Sequence, residues 1–194
     1  ILYPSGFTEG KDSIWINGLI WMSDKSEMIR QIRQKMADGF TCLKMKIGAL
    51  DLREEIEVLK FIREHCEADE MEIRVDANGA FSRSEALEII KILSDYHLHS
   101  IEQPIAAGHP EDMARLCADS PVPIAHDEEL IGKHTMVSRR KLLETIKPQY
   151  VVLKPGLLGG LTACKDWITL AKENNTSWWI TSSLETNIGL NAIA

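Results

Sequence analysis

Lys46, Asp76, Glu102, Asp127 and Lys154 follow one another at separations of 30, 26, 25 and 27 residues (76 − 46, 102 − 76, 127 − 102 and 154 − 127). Each stands at or just past the end of an apolar run with strand character, and each interval is close to one strand-plus-helix repeat. In a barrel of parallel strands the C-terminal strand ends converge on one face, and that face carries the chemistry. It would here hold three carboxylates between two ammonium groups. Three convergent carboxylates in a partly dry site cannot all stay ionised without a cation. Oxygen-only donors suit a hard ion such as Mg²⁺, which keeps positions open for water or substrate, with Mn²⁺ as the alternative. Any one of these acids alone could be a turn former or a helix cap; three at repeat spacing between two lysines point to a metal site.

Lys44-Met45-Lys46 adds to this. Strand alternation sends both lysines to one face and Met45 to the other. Two adjacent ammonium groups disfavour each other's charge, which is expected to lower one pKa and leave an amine able to remove a proton. Lys154 begins Lys-Pro-Gly, where the proline fixes the backbone that follows.

The elements that must position these residues alternate along the whole chain. Strands are expected over 14–21, 41–47, 71–76, 98–102, 121–126, 150–154 and 178–181. Helical periodicity covers 23–38, with Ile29, Ile32 and Met36 on one face and Gly39 as its stop, and 51–65, with Leu52, Ile56, Leu59 and Ile62. Further helices are expected from a Ser82–Glu85 capping box to Tyr96, from Pro110, over 136–145 and 161–173, and from Glu185 onward. Repeated strand-then-helix units with short connections imply parallel strands and right-handed crossovers. No GxGxxG or Walker loop follows the first strand, so an α/β barrel is favoured over a nucleotide-binding open sheet.

The chain has 194 residues, 44% hydrophobic and 26% charged, with a net charge of −7. That supports a real core and excludes a basic nucleic-acid-binding face. No apolar run is long enough to span a membrane, and no signal peptide is visible. Cys42, Cys66, Cys117 and Cys164 show no metal-ligand spacing and suit a reducing, cytoplasmic setting. About seven repeats, an opening Ile1-Leu2-Tyr3-Pro4 and a last helix without a stop signal are expected of an internal piece of a longer protein. In that reading 1–13 is the tail of an N-terminal region or linker, 14–194 is a partial barrel lacking its last strand, and the piece alone would bind metal poorly and turn over nothing.

KMK, RVDAN, IEQP, AHDEEL, VVLKPGLLGG and TSSLETNIGLNAIA, in this order, resemble the muconate-lactonizing-type branch of the enolase superfamily, and within it the o-succinylbenzoate synthase family. The resemblance runs from Ile14 to Ala194. It implies a C-terminal TIM-like barrel whose capping domain is absent here, and a Mg²⁺-dependent lyase acting on a small carboxylate substrate, in menaquinone biosynthesis. By position it implies Asp76, Glu102 and Asp127 as metal ligands, Lys46 as general base with Lys44 as its electrostatic partner, and Lys154 on the opposite face of the substrate. Ser182 and Ser183 would hold a substrate carboxylate. Arg74 and Asn78 would support the site, and Glu128 would orient Lys154.

Two other functions use the same residues or none: racemisation or epimerisation of N-acylamino acids or dipeptides, and a non-catalytic barrel module. Neither nucleic acid nor membrane is expected as a partner; the oligomeric state is open, a homo-oligomer included. Gly159-Gly160 either shapes a turn or, through Gly160, lets backbone amides approach an anionic substrate. His126 is expected to pack away from the face of Asp127, Trp178-Trp179 to fill a barrel layer, and the run Arg53–Glu57 to be a solvated helix face.

Overall fold

The computed structural model describes residues 4–194; the first three residues of the expected 1–13 segment lie outside the described residues. Seven strands form one sheet in chain order, each hydrogen-bonded in parallel to the next: β1 (Gly18–Ile20), β2 (Cys42–Lys46), β3 (Glu72–Asp76), β4 (Ser100–Glu102), β5 (Ile124–His126), β6 (Tyr150–Leu153) and β7 (Ser177–Ile180). The crossovers contain α1 (Lys25–Ala37), α2 (Leu52–Arg63), α3 (Ala86–Ser94), α4 (Pro110–Asp119), α5 (Met136–Ile146), α6 (Pro155–Leu158) and α7 (Gly160–Glu173), and α8 (Asn187–Ile193) follows β7. This is an incomplete α/β barrel with β1 and β7 as its two edges.

Local chemistry sets the boundaries. Asp24 caps α1 by accepting the Glu27 amide at 3.0 Å, and Gly39 takes φ +83° just past its end. Pro110 opens α4, where its missing N–H has no intrahelical role. The Ser82–Glu85 box sits in a turn just before its helix rather than in its cap: Ser82 bonds the Glu85 carboxylate, the Ser82 carbonyl accepts from Ala86 at 3.0 Å, and α3 begins at Ala86. That geometry satisfies the Ser82 and Glu85 side chains on each other, so Glu85 holds the N-cap position without a side-chain capping bond.

Alternation along the strands divides the sheet's two faces. Leu43, Met45, Ile73, Val75, Ile101, Ile124, Val151 and Leu153 are fully buried on the helix side, in one cluster with Ile32, Leu59, Ile90, Met113 and Trp167 from the helices. Burying one such side chain stabilises by about 1.5–3 kcal/mol. His126 joins this layer, buried with Nε2 3.6 Å from Cys117 Sγ. The other face is polar and aromatic. Arg74 bonds Glu72 at 2.6 Å and lies 4.4 Å over the ring of Trp179, which in turn stands 5.3 Å from Tyr150. Trp179 thus fills an inner layer as expected, while Trp178 remains partly exposed.

The Glu-rich run of α2 is not wholly solvated. Glu55 is buried, and its Oε1 accepts the amides of Gly48, Ala49 and Leu50 at 2.6, 3.1 and 3.2 Å. Those three amides have no strand partner after β2 ends, and the carboxylate satisfies them.

Candidate functional site

Parallel pairing without slippage places the charged strand ends side by side. Lys46 is the register partner of Asp76, and Asp76 of Glu102; Lys44 is level with Arg74 one pleat earlier. Lys44 Nζ reaches Glu102 Oε2 at 2.6 Å and Asp76 Oδ2 at 3.0 Å, and Lys46 Nζ reaches the same Asp76 oxygen at 2.7 Å. Asn78, at φ +45°, accepts from Lys46 through Oδ1 at 2.6 Å and donates through Nδ2 to Glu128 at 2.8 Å. Lys154 is paired with Asp127. The structure therefore brings Lys44, Lys46, Asp76, Asn78, Glu102 and Glu128 into one network, with Lys154 and Asp127 as a second pair. Glu128 meets Asn78 rather than Lys154, because its side chain turns toward the β3 end.

The electrostatics follow from burial and pairing. Burial penalises the Asp76 carboxylate, but Lys44 and Lys46 outweigh it and hold its pKa below the usual value. Glu102 is more deeply enclosed. Burial, opposed by Lys44 and reinforced by Asp76 and Asp127, pushes its pKa up to about 8. Lys44 is not the lysine whose pKa the pairing lowers. Burial does push it down, yet the carboxylates of Glu102 and Asp76 raise it above its ordinary value. An ammonium shared between two acids stays charged.

Lys44, Lys46, Arg74 and Lys154 line a cavity of about 1350 Å³ whose other walls include Trp15, Trp21, Ser182 and Ser183; Asp76, Glu102 and Asp127 are buried behind the lysines. Gly160 is not on this cavity. It opens α7 at φ +92° and is exposed, and Gly159 at φ +96° ends α6, so the pair shapes a helix-to-helix turn. Ser183 donates from its hydroxyl and its amide to Glu185 at 2.8 and 2.6 Å. Burial would raise the Glu185 pKa, but those bonds and the charge of Lys154 hold it below the usual value. Glu185 and Gln103 belong to the site without having been singled out by residue type. Both lie inside the TSSLET and IEQP segments, which were the only signal.

The donor set fits a hard cation in kind. The candidate ligands at the strand ends offer only oxygens, Asp76 and Glu102 are adjacent in register, and Glu102 Oε1 is a buried oxygen with no hydrogen-bond partner among the described residues. The expected gathering of three acids at one point is not present as they stand: among the described residues no three His, Cys, Asp or Glu side chains are placed to hold one ion. Lysine ammonium groups take the carboxylate oxygens instead, two on Asp76, of which Lys44 also holds Glu102, and one on Asp127.

Residues 27–194 match the family described as Enolase C-terminal domain-like. The chain belongs to that family. An o-succinylbenzoate synthase from Desulfotalea psychrophila is 52% identical to this enolase-type barrel over 192 residues, which cover 99% of this chain and 52% of the relative. The crystal structure of MenC from Desulfotalea psychrophila LSv54 superposes with a TM-score of 0.92 at 50% identity, covering 99% of this chain and 53% of that one. A dipeptide epimerase from Enterococcus faecalis V583 shares the fold, with a TM-score of 0.83 at 23% identity over 93% of this chain and 52% of that one. The enolase-type barrel thus spans about half the length of these relatives. No helix among the described residues is long and apolar enough to cross a membrane.

Proposed function

We propose that the protein is an o-succinylbenzoate synthase-like lyase, which removes the proton α to a carboxylate and eliminates water in syn fashion from 2-succinyl-6-hydroxy-2,4-cyclohexadiene-1-carboxylate, a step of menaquinone biosynthesis. The observation that carries this is the arrangement of Lys44, Lys46 and Lys154 along one cavity with Asp76, Glu102 and Asp127 directly behind them. The 52% identity to a synthase supports the choice of reaction within the family.

Asp76, Glu102 and Asp127 would hold Mg²⁺. When bound, the ion supplies positive charge where the substrate carboxylate becomes a dianion. Lys46 shares one Asp76 oxygen with Lys44. Lys46 also lines the cavity in which the substrate would lie. Lys46 takes the α proton and returns it to the departing hydroxide on the same side, releasing water. Asn78 holds Lys46 at the strand end, and Asn78 is itself held by Glu128. Lys154, across the substrate, stabilises the negative charge without moving a proton. Ser182 and Ser183 line the cavity and would hold the succinyl carboxylate, Ser183 by exchanging its bonds to Glu185 for the substrate. Arg74 supports the floor on which the substrate rests, stacked on Trp179.

The test offers the intact protein the cyclohexadiene carboxylate with Mg²⁺, and separately N-succinylamino acids in deuterated water. Aromatisation, read by ultraviolet absorbance, without α-deuteration of the amino acids supports the synthase. Deuteration with inversion and no aromatisation would replace it by a racemase.

A further inference from the structure

Gln103 follows Glu102 directly and is fully buried at φ +41°, a left-handed conformation that a non-glycine residue adopts only when its surroundings enforce it. Its polar groups are used across three strand ends. The backbone amide donates to Ala125 of β5 at 2.9 Å, and the carbonyl accepts from Gly79, beyond β3, at 2.7 Å. The side-chain Nε2 donates to the Ile105 carbonyl at 2.9 Å, while Oε1 accepts the amides of Asp127 at 3.4 Å and Glu129 at 3.3 Å. Asp127 has left the β5 ladder, so its amide has no strand carbonyl to meet. Gly79 cannot be larger here, since a Cβ would stand 2.8 Å from the Ala106 Cα; the turn is pressed against the segment after β4.

We propose that Gln103 is a positioning residue that ties the backbone of Asp127 to the strand ends carrying Asp76 and Glu102, so that the three acids can serve one divalent ion. This rests on the metal reading above and adds the device that sets its third member. An amide is required because one end must accept and the other donate. Methionine fills the volume and does neither. Asparagine does both from one methylene too far back.

The experiment follows Mn²⁺ binding to the intact protein by electron paramagnetic resonance, together with hydrogen exchange at the amides of Asp127 and Glu129 in the metal-free protein. Gln103→Met is expected to weaken Mn²⁺ binding by about 10–100-fold, as loss of a ligand-orienting partner does, and to speed exchange at both amides while circular dichroism stays unchanged. If Gln103→Met does not fold, Gln103→Asn carries the same test with the same expected loss. Affinity within twofold of wild type, or weaker binding with unchanged exchange at those amides, would overturn the proposal. If neither variant folds, Gln103 serves the fold as a whole and the proposal is also overturned. Absence of Mn²⁺ binding by the wild-type protein would instead sink the metal reading on which it stands.

Discussion

The rim from β2 to β5 and the margin around β7 and α8 are built differently. On the rim, Lys44, Asp76 and Glu102 are buried, interlocked within 3.0 Å, and fixed by the register of neighbouring strands. At the margin, Ser182 and Ser183 follow a strand end in a connecting segment, and Leu184, Ile188 and Leu190 beside them are exposed. The contrast separates two tasks. Groups that must hold charge at a fixed spacing sit on paired backbone, where displacement would break a ladder. Groups assigned to substrate choice sit on backbone free of the ladder, where sequence change costs the fold little.

The largest effect should come from the rim. Lys46→Met is expected to lower kcat by about 10³–10⁴-fold, the upper range for losing a general base, with little change in melting temperature; steady-state aromatisation assays check this. Next is the reverse face of the same strand. Met45→Ala empties a fully buried position and should destabilise by about 2–5 kcal/mol, measured by urea unfolding, whereas a loss under 1 kcal/mol would mean that β2 is not oriented as described. At the margin, Ser183→Ala should raise KM by about tenfold with kcat within a few-fold, the pattern of lost ground-state binding.

The last effect is a pH dependence, spread gradually over about two pH units. Burial holds the His126 pKa down at about 3, against about 6.5 in the unfolded chain. Below pH 6.5 the unfolded state therefore binds a proton that the folded state does not. Stability is fully present above that pH and is lost as pH falls toward the folded value. His126→Leu should remove a slope of up to about 1.4 kcal/mol per pH unit between pH 6 and 4, read from chemical denaturation at several pH values.

Much of this was legible in the sequence, and the reasons are specific. Met45 between two lysines fixes which way β2 faces, and one repeat between each acid fixes their adjacency; both follow from chain periodicity. The fate of Glu55 did not follow, because nothing in a helical pattern reveals that three loop amides seven to five residues earlier need an acceptor. Nor did the charge state of Lys44. Its neighbour in sequence is Lys46, but its neighbours in space are Glu102 and Asp76, and the spatial ones set its pKa. Glu128 was misplaced for a related cause: its side-chain direction beyond the strand end is set by the turn, not by alternation, while of the two roles open to Gly159-Gly160 the structure shows the turn.

The most direct measurement is a crystal structure of the intact protein grown with Mg²⁺. One ion bound by oxygens of Asp76, Glu102 and Asp127 at about 2.0–2.1 Å, with the lysine amines displaced from the Asp76 and Asp127 oxygens, is the predicted result. An ordered structure in saturating Mg²⁺ that keeps every lysine–carboxylate pair and holds no ion among those acids would contradict it.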